Sequence, residues 1–201
     1  MLAMAPAAQA IVVTYAGPPL PITNNLDGIY VNVVTGAFAS SPAPTGWDFN
    51  VYNNTAGLAF FTRAADTANA YVGSGTGVAT QASSLALGTT IGPASTFAST
   101  GQVQGAAFQT AGTRYFGFRF TNEAPIPTNS TIHYGWALLN TGIGTGANAG
   151  FPASIVSYAF ETTPGLAITI PIPEPSTYLL MALGLAAIGG VAARRRKTAA
   201  A

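Results

Sequence analysis

The strongest constraint on the fold is a two-residue alternation. In Arg114-Tyr115-Phe116-Gly117-Phe118-Arg119-Phe120 every second residue from Phe116 carries a phenyl ring, and only an extended strand gathers such residues on one face. Arg119 then points to the other side. In Ile132-His133-Tyr134-Gly135-Trp136-Ala137-Leu138 the apolar set is Ile132, Tyr134, Trp136 and Leu138. The two segments are expected to pair and to lay these faces into one core. Their connection, 122–130, contains Pro125 and Pro127, which suits a surface loop better than a tight hairpin. Further β-prone runs are Ile11 to Tyr15, Ile29 to Thr35, Trp47 to Tyr52, Gly57 to Thr62, Ile155 to Glu161 and Ala167 to Ile170. Clusters of Gly, Pro, Asn and Ser separate them, and no long helical periodicity intervenes, so the pattern predicts an all-β body over residues 11–172: an antiparallel β-sandwich, jelly-roll-like. Residues 67–112, rich in Gly, Ala, Ser and Thr, are expected to give short edge strands and loops, or a flexible segment.

Charge is scarce and unevenly placed. Only 6% of the 201 residues are charged, against roughly 25% in ordinary soluble domains. Four of the seven basic residues are Arg194, Arg195, Arg196 and Lys197. From Ile11 to Ile172, three arginines stand against five carboxylates, Asp27, Asp48, Asp66, Glu123 and Glu161, leaving −2. Such a body has no basic face for nucleic-acid phosphates. There is no Cys, hence no disulfide, thiolate metal site or cysteine nucleophile.

The two ends read as export signals. Residues 1–10 finish in Ala8-Gln9-Ala10, the small-x-small pattern that signal peptidases accept, and are expected to be the remnant of a longer signal peptide; the alternative is a frayed, Ala-rich terminus. At the other end, Pro173-Glu174-Pro175-Ser176-Thr177 precedes an uncharged run from Tyr178 to Ala193, followed by the basic cluster. Pro175 suits a helix start, and Ser176 or Thr177 can cap the exposed amides. At about 1.5 Å per residue, Ser176 to Ala193 as one hydrophobic helix just spans a hydrocarbon layer of roughly 30 Å. Its anchoring side chains are Tyr178, Leu179, Leu180, Met181, Leu183, Leu185, Ile188 and Val191. Arg194, Arg195, Arg196 and Lys197 act as a cytoplasmic basic stop under the positive-inside rule, which leaves the body outside. Residues 198–201 are expected to form a disordered end.

This order of Pro-Glu-Pro-Ser-Thr, apolar helix and Arg-Arg-Arg resembles the PEP-CTERM sorting signal of Gram-negative bacteria that make extracellular polysaccharide. The resemblance covers residues 173–197, and an ordinary single-pass anchor is the alternative. It implies an inner-membrane precursor whose Pro173, Glu174 and Pro175 are recognised by an exosortase-type membrane peptidase. Cleavage would move the body to the cell surface or medium. Within the body, Asp27-Gly28-Ile29-Tyr30-Val31-Asn32-Val33-Val34-Thr35-Gly36, Gly46-Trp47-Asp48-Phe49-Asn50, Gly117-Phe118-Arg119-Phe120, Tyr134-Gly135-Trp136 and Ile155-Val156-Ser157-Tyr158-Ala159-Phe160-Glu161 are similar to extracellular domains that often precede such tails. No chemistry is generally assigned to that group.

Catalytic chemistry finds few residues to use. His133 is the only imidazole; opposite Trp136 on its strand, it is expected to face solvent or sit at a rim. No Gly-x-Ser-x-Gly elbow and no His-Glu-x-x-His are present. Lys197, the only lysine, lies in the tail, which removes P-loop and Schiff-base chemistry. Gly73 to Gly77 and Gly142 to Gly146 read as turns rather than phosphate loops. Glycoside hydrolysis needs only two carboxylates and stays open as an alternative. So does a lectin-like module using Trp47, Tyr52 and other Tyr rings, and a calcium site at Asn24, Asn25 and Asp27. The expectation is a non-enzymatic surface or matrix protein, without cofactor, associated with exopolysaccharide or biofilm.

Overall fold

The computed structural model describes residues 11–62, 69–74, 80–98, 101–121 and 132–172. The chain divides into two compact units, Met1–Ile170 and Pro171–Ala201. In chain order the strands of the first are β1 (Val12–Tyr15), β2 (Leu20–Ile22), β3 (Ile29–Val31), β4 (Phe38–Ala39), β5 (Phe49–Asn53), β6 (Leu58–Phe61), β7 (Ala70–Ser74), β8 (Gln81–Ala82), β9 (Thr90–Ile91), β10 (Phe97–Ala98), β11 (Gln102–Gln104), β12 (Gly112–Thr121), β13 (Ile132–Thr141), β14 (Ala153–Glu161) and β15 (Ile168–Thr169). The unit is therefore all-β.

The alternating segments do pair. β12 and β13 run antiparallel over ten residues with Phe116 opposite Ala137, Phe118 opposite Gly135 and Phe120 opposite His133. Residues directly opposite share a face, and this register corrects the expected core. Phe116, Phe118 and Phe120 share their face with Ala137, Gly135 and His133, whereas Tyr134, Trp136 and Leu138 lie on the reverse with Tyr115, Gly117 and Arg119. The pattern was ambiguous because both faces are covered. The inner face, which Tyr158 joins opposite Ala137, packs on Phe49, Phe60 and Phe108, while the outer face carries Ile91, Tyr134, Trp136, Ala159, Ile168 and Ile170. The β9–β15 ribbon supplies Ile91 and Ile168 to that outer cluster. Gly135 is required where it stands, since a Cβ there would collide with the Phe118 ring and lie 2.8 Å from the Ala159 carbonyl oxygen.

Among the described residues thirteen strands join in one sheet, in the order β1-β14-β13-β12-β7-β8-β11-β6-β5-β3-β4, with β10 added on β7 and β2 on β14. Its curl is visible in the core. Phe49 of β5 meets Phe116 and Phe118 of β12 at ring centroid distances of 5.5 and 5.0 Å, although many strands separate them along the sheet. The sheet is mixed rather than purely antiparallel, because β11 pairs with β8 in parallel at Gln104 and Gln81.

β7 corrects a second expectation. Far from being an edge, it pairs with β12 through Ala70 and Tyr71 and with β8 through Gly73 and Ser74. Tyr71 is 1% exposed. Its hydroxyl accepts the Asn50 N–H at 3.0 Å and has the carbonyls of Asn50 and Phe61 at 3.0 and 2.9 Å as acceptors. One side chain thereby ties β7 to β5 and β6, and burial pushes its phenol far above the ordinary value.

Polar side chains set strand ends. The run Ile29 to Thr35 stops as a strand at Val31 because the Asn32 Oδ1 accepts the N–H groups of Val34 and Thr35 at 3.0 and 2.9 Å. That local turn competes with the ladder. Asp48 reinforces it, its Oδ2 accepting the Val33 N–H at 2.8 Å. Gly28 has φ +57°, and a Cβ there would collide with the Val51 carbonyl and Tyr52, so the entry to β3 depends on glycine.

Candidate functional site

An apolar groove lies between β1 and the turn from Val33 to Gly36. It consists of two adjoining depressions that share Val13 and Val34. The first, about 220 Å³, is lined by these two with Phe120, His133, Phe160 and Thr162. The second, about 200 Å³, is lined also by Thr14, Tyr15, Val33, Thr35, Gly36 and Tyr158. Strand pairing places these side chains: Val13 stands opposite Phe160, and Tyr15 opposite Tyr158. The Tyr15 and Tyr158 rings stack at 5.0 Å, 8° from parallel.

His133 is not a solvent-facing residue. It is 5% exposed and stacks on Phe120 at 5.4 Å, because the register puts it on the inner, phenylalanine-bearing face. Its Nδ1 donates to the Glu161 carbonyl oxygen at 2.9 Å; a carbonyl can only accept, which fixes the proton on Nδ1. The imidazole is thus held by main chain, where a general base would be oriented by a carboxylate.

The carboxylates of Asp48 and Glu161 hold backbone. Asp48, 4% exposed, caps the Val33 turn. Glu161 is fully buried, and its Oε1 accepts the N–H groups of Thr163 at 2.8 Å and Ile11 at 3.2 Å. Asn25 Oδ1 accepts the N–H groups of Asp27 and Gly28 at 3.1 and 2.8 Å. Asn24 bonds the side chains of Asn148 and Asn53, so the amide oxygens of Asn24 and Asn25 considered for calcium are used in local bonds, while Asp27 enters the turn through its main-chain N–H. Among the described residues no group of three or more His, Cys, Asp or Glu could hold a metal ion.

The aromatic residues considered for sugar stacking are in the fold. Trp47 and Tyr52 are 8% and 7% exposed. Trp47 meets Tyr30 at 4.9 Å and Phe61 at 6.3 Å, and Tyr52 meets Phe61 at 6.2 Å. Arg119, half-buried, lies over the Phe97 ring at 4.7 Å. The groove itself was missed in the sequence, since Val13 and Val34 are far apart along the chain and only the β1–β14 pairing brings them near Phe120 and His133.

Tyr158 provides an alkaline signature for the groove. Burial, then Tyr15 and Asp48, push its phenol up to about 12 from an ordinary 10. Below pH 10 folded and unfolded chains hold the proton alike; above it the unfolded chain releases it first, so stability falls as pH rises from about 10 to about 12. Thermal unfolding followed by circular dichroism is expected at lower temperature near pH 12 than near pH 9, with a smaller drop in Tyr158→Phe. An equal drop in that variant would assign the effect elsewhere.

The sorting residues Pro173, Glu174 and Pro175, the run Tyr178 to Ala193 with its anchoring side chains, and Arg194 to Lys197 lie outside the described residues, as do Asp66 and Glu123. Among the described residues no helix is long and apolar enough to cross a membrane. The chain thus joins an all-β body to a C-terminal segment with its own composition. Comparison with family models identifies that segment: residues 171–197 match the PEP-CTERM protein-sorting motif. The chain carries this motif at residues 171–197, and a motif of this kind implies a membrane-anchored precursor that exosortase processes to a cell-surface or extracellular product. Comparison with curated proteins and with solved structures gave no match.

Proposed function

We propose that the body is a structural or adhesive component of the cell surface or extracellular matrix of a Gram-negative bacterium, associated with its exopolysaccharide or biofilm, and that it is not an enzyme. The observation that carries this reading is the sorting motif at residues 171–197, which directs the body outward. Support comes from how the polar groups are used. Asp48, Glu161, Asn25, Asn32 and His133 all bond backbone of their own chain, a use that builds shape. We read the curled sheet as a jelly-roll-like β-sandwich, with Phe49 and Phe60 on one face against Phe116 and Phe118 on the other.

A lectin-like module for the same polymer is the second reading, and a specific residue favours it. Phe38 on β4, at the end of the strand order, is 48% exposed, a ring available to a sugar face. The test is sedimentation of the purified secreted protein with the producer's exopolysaccharide beside a glycan array. Retention by the polymer with no saturable binding to array oligosaccharides is the result expected of the structural role. Saturable array binding that Phe38→Ala abolishes would replace it with the lectin, and hydrolysis of an oligosaccharide would replace both with a glycosidase.

A further inference from the structure

Glu161 is the most demanding polar group in the body. It is fully buried at the end of β14, and its Oε2 has no hydrogen-bond partner among the described residues. A buried carboxyl oxygen left in this way is costly unless a donor or cation reaches it. The described arginines are engaged elsewhere: Arg114 bonds Thr110, Ala111 and Thr141, and Arg119 lies on Phe97.

One nitrogen already sits at this carboxyl group. The main-chain N of Ile11 is 3.2 Å from Glu161 Oε1, and the Ile11 carbonyl accepts the Thr162 N–H at 3.0 Å. Val12 stands opposite Glu161 in the β1–β14 ladder, so Ile11 is held from both sides. It is also the residue that follows Ala8-Gln9-Ala10, whose last bond a signal peptidase would cut.

We propose that Ile11 is the mature amino terminus and that its new α-ammonium group docks on Glu161. Water adds across the Ala10–Ile11 peptide bond in the active site of a membrane signal peptidase. The Ala10 carbonyl carbon takes the hydroxyl and departs as a carboxylate; the Ile11 nitrogen becomes a primary amine and takes up a proton. The single N–H that now reaches Oε1 is thereby replaced by three donors and a positive charge. Both carboxylate oxygens can then be paired by charge-assisted bonds, which an uncleaved chain cannot make. Maturation so pins the edge strand β1 onto β14. The inference rests on the export reading.

The test uses the full-length chain produced in its own host and recovered from outside the cell. Mass spectrometry of the amino terminus is expected to begin at Ile11. Lys197 is the only lysine, so the α-amine is readily followed with an acylating reagent. In the folded protein it is expected to react slower than in urea by about tenfold or more, and Glu161→Gln, which keeps an acceptor for the backbone but loses the charge, is expected to restore most of that rate. The urea comparison serves if that variant does not fold. A different first residue, such as Ala8, or equal labelling rates with and without urea, would overturn the docking while export stands. An extracellular absence of the protein, with residues 1–10 still attached inside the cell, would overturn export as well.

Discussion

Replacing Phe116 with Ala is expected to lower the free energy of unfolding by about 3–5 kcal/mol. The ring is fully buried and lies where β12 meets β5 and β6 across the curled sheet. It has Phe60 at 5.0 Å, Phe49 at 5.5 Å, Tyr71 at 6.0 Å, Phe118 at 6.2 Å and Phe108 at 6.3 Å between ring centroids. Removing it opens a cavity walled by other rings, several of them held in edge-to-face arrangements that cannot all collapse inward. Against a total stability of about 5–15 kcal/mol for a typical domain, that removes a large share of it, and all of it at the low end of the range. Urea titration of the secreted protein measures it. Ile143→Ala is the control, because Ile143 is 84% exposed and its loss is expected within about 0.5 kcal/mol. Similar midpoints for the two variants would mean that the aromatic cluster is not the centre of the fold.

The second large effect concerns sorting. Changing Pro173, Glu174 and Pro175 together to Ala is expected to leave the protein as an uncleaved precursor in the membrane fraction and to remove most of it from the medium. The hydrophobic run and the basic cluster are untouched by that change, so insertion persists while peptidase recognition is lost. Fractionation followed by immunoblotting separates the two pools. Normal release of the triple variant would take the recognition role away from these residues.

What could be read from the residues, and what could not, follows from which interactions are local. The phenylalanine face of β12 was legible because its alternation is complete within seven residues. The pairing with β13 was legible too, but its register was not. When both faces of a strand are apolar, a one-residue slip exchanges one acceptable face for another, and His133 was consequently placed outside. β7 was hidden for a related reason. Ala70-Tyr71-Val72-Gly73-Ser74 has one large ring, and its central place depends on hydroxyl bonds from Tyr71 to strands distant in sequence. β2 was missed because Pro21 breaks its pattern, although Pro21 stands opposite Ser154 with its ring exposed. The sorting segment, by contrast, is legible in order and composition alone, since its motif is complete within one short stretch of chain. Glu161 shows the opposite case: its type and position were evident, but the meeting with Ile11 is a contact across 150 residues.

Outward sorting followed by loss of the tail is the central claim, and the carboxyl terminus of the extracellular protein tests it most directly. Mass spectrometry is expected to find a chain ending near Pro173-Glu174-Pro175, without the uncharged run and without Arg194 to Lys197. Recovery of an extracellular product that still ends in those residues would contradict it.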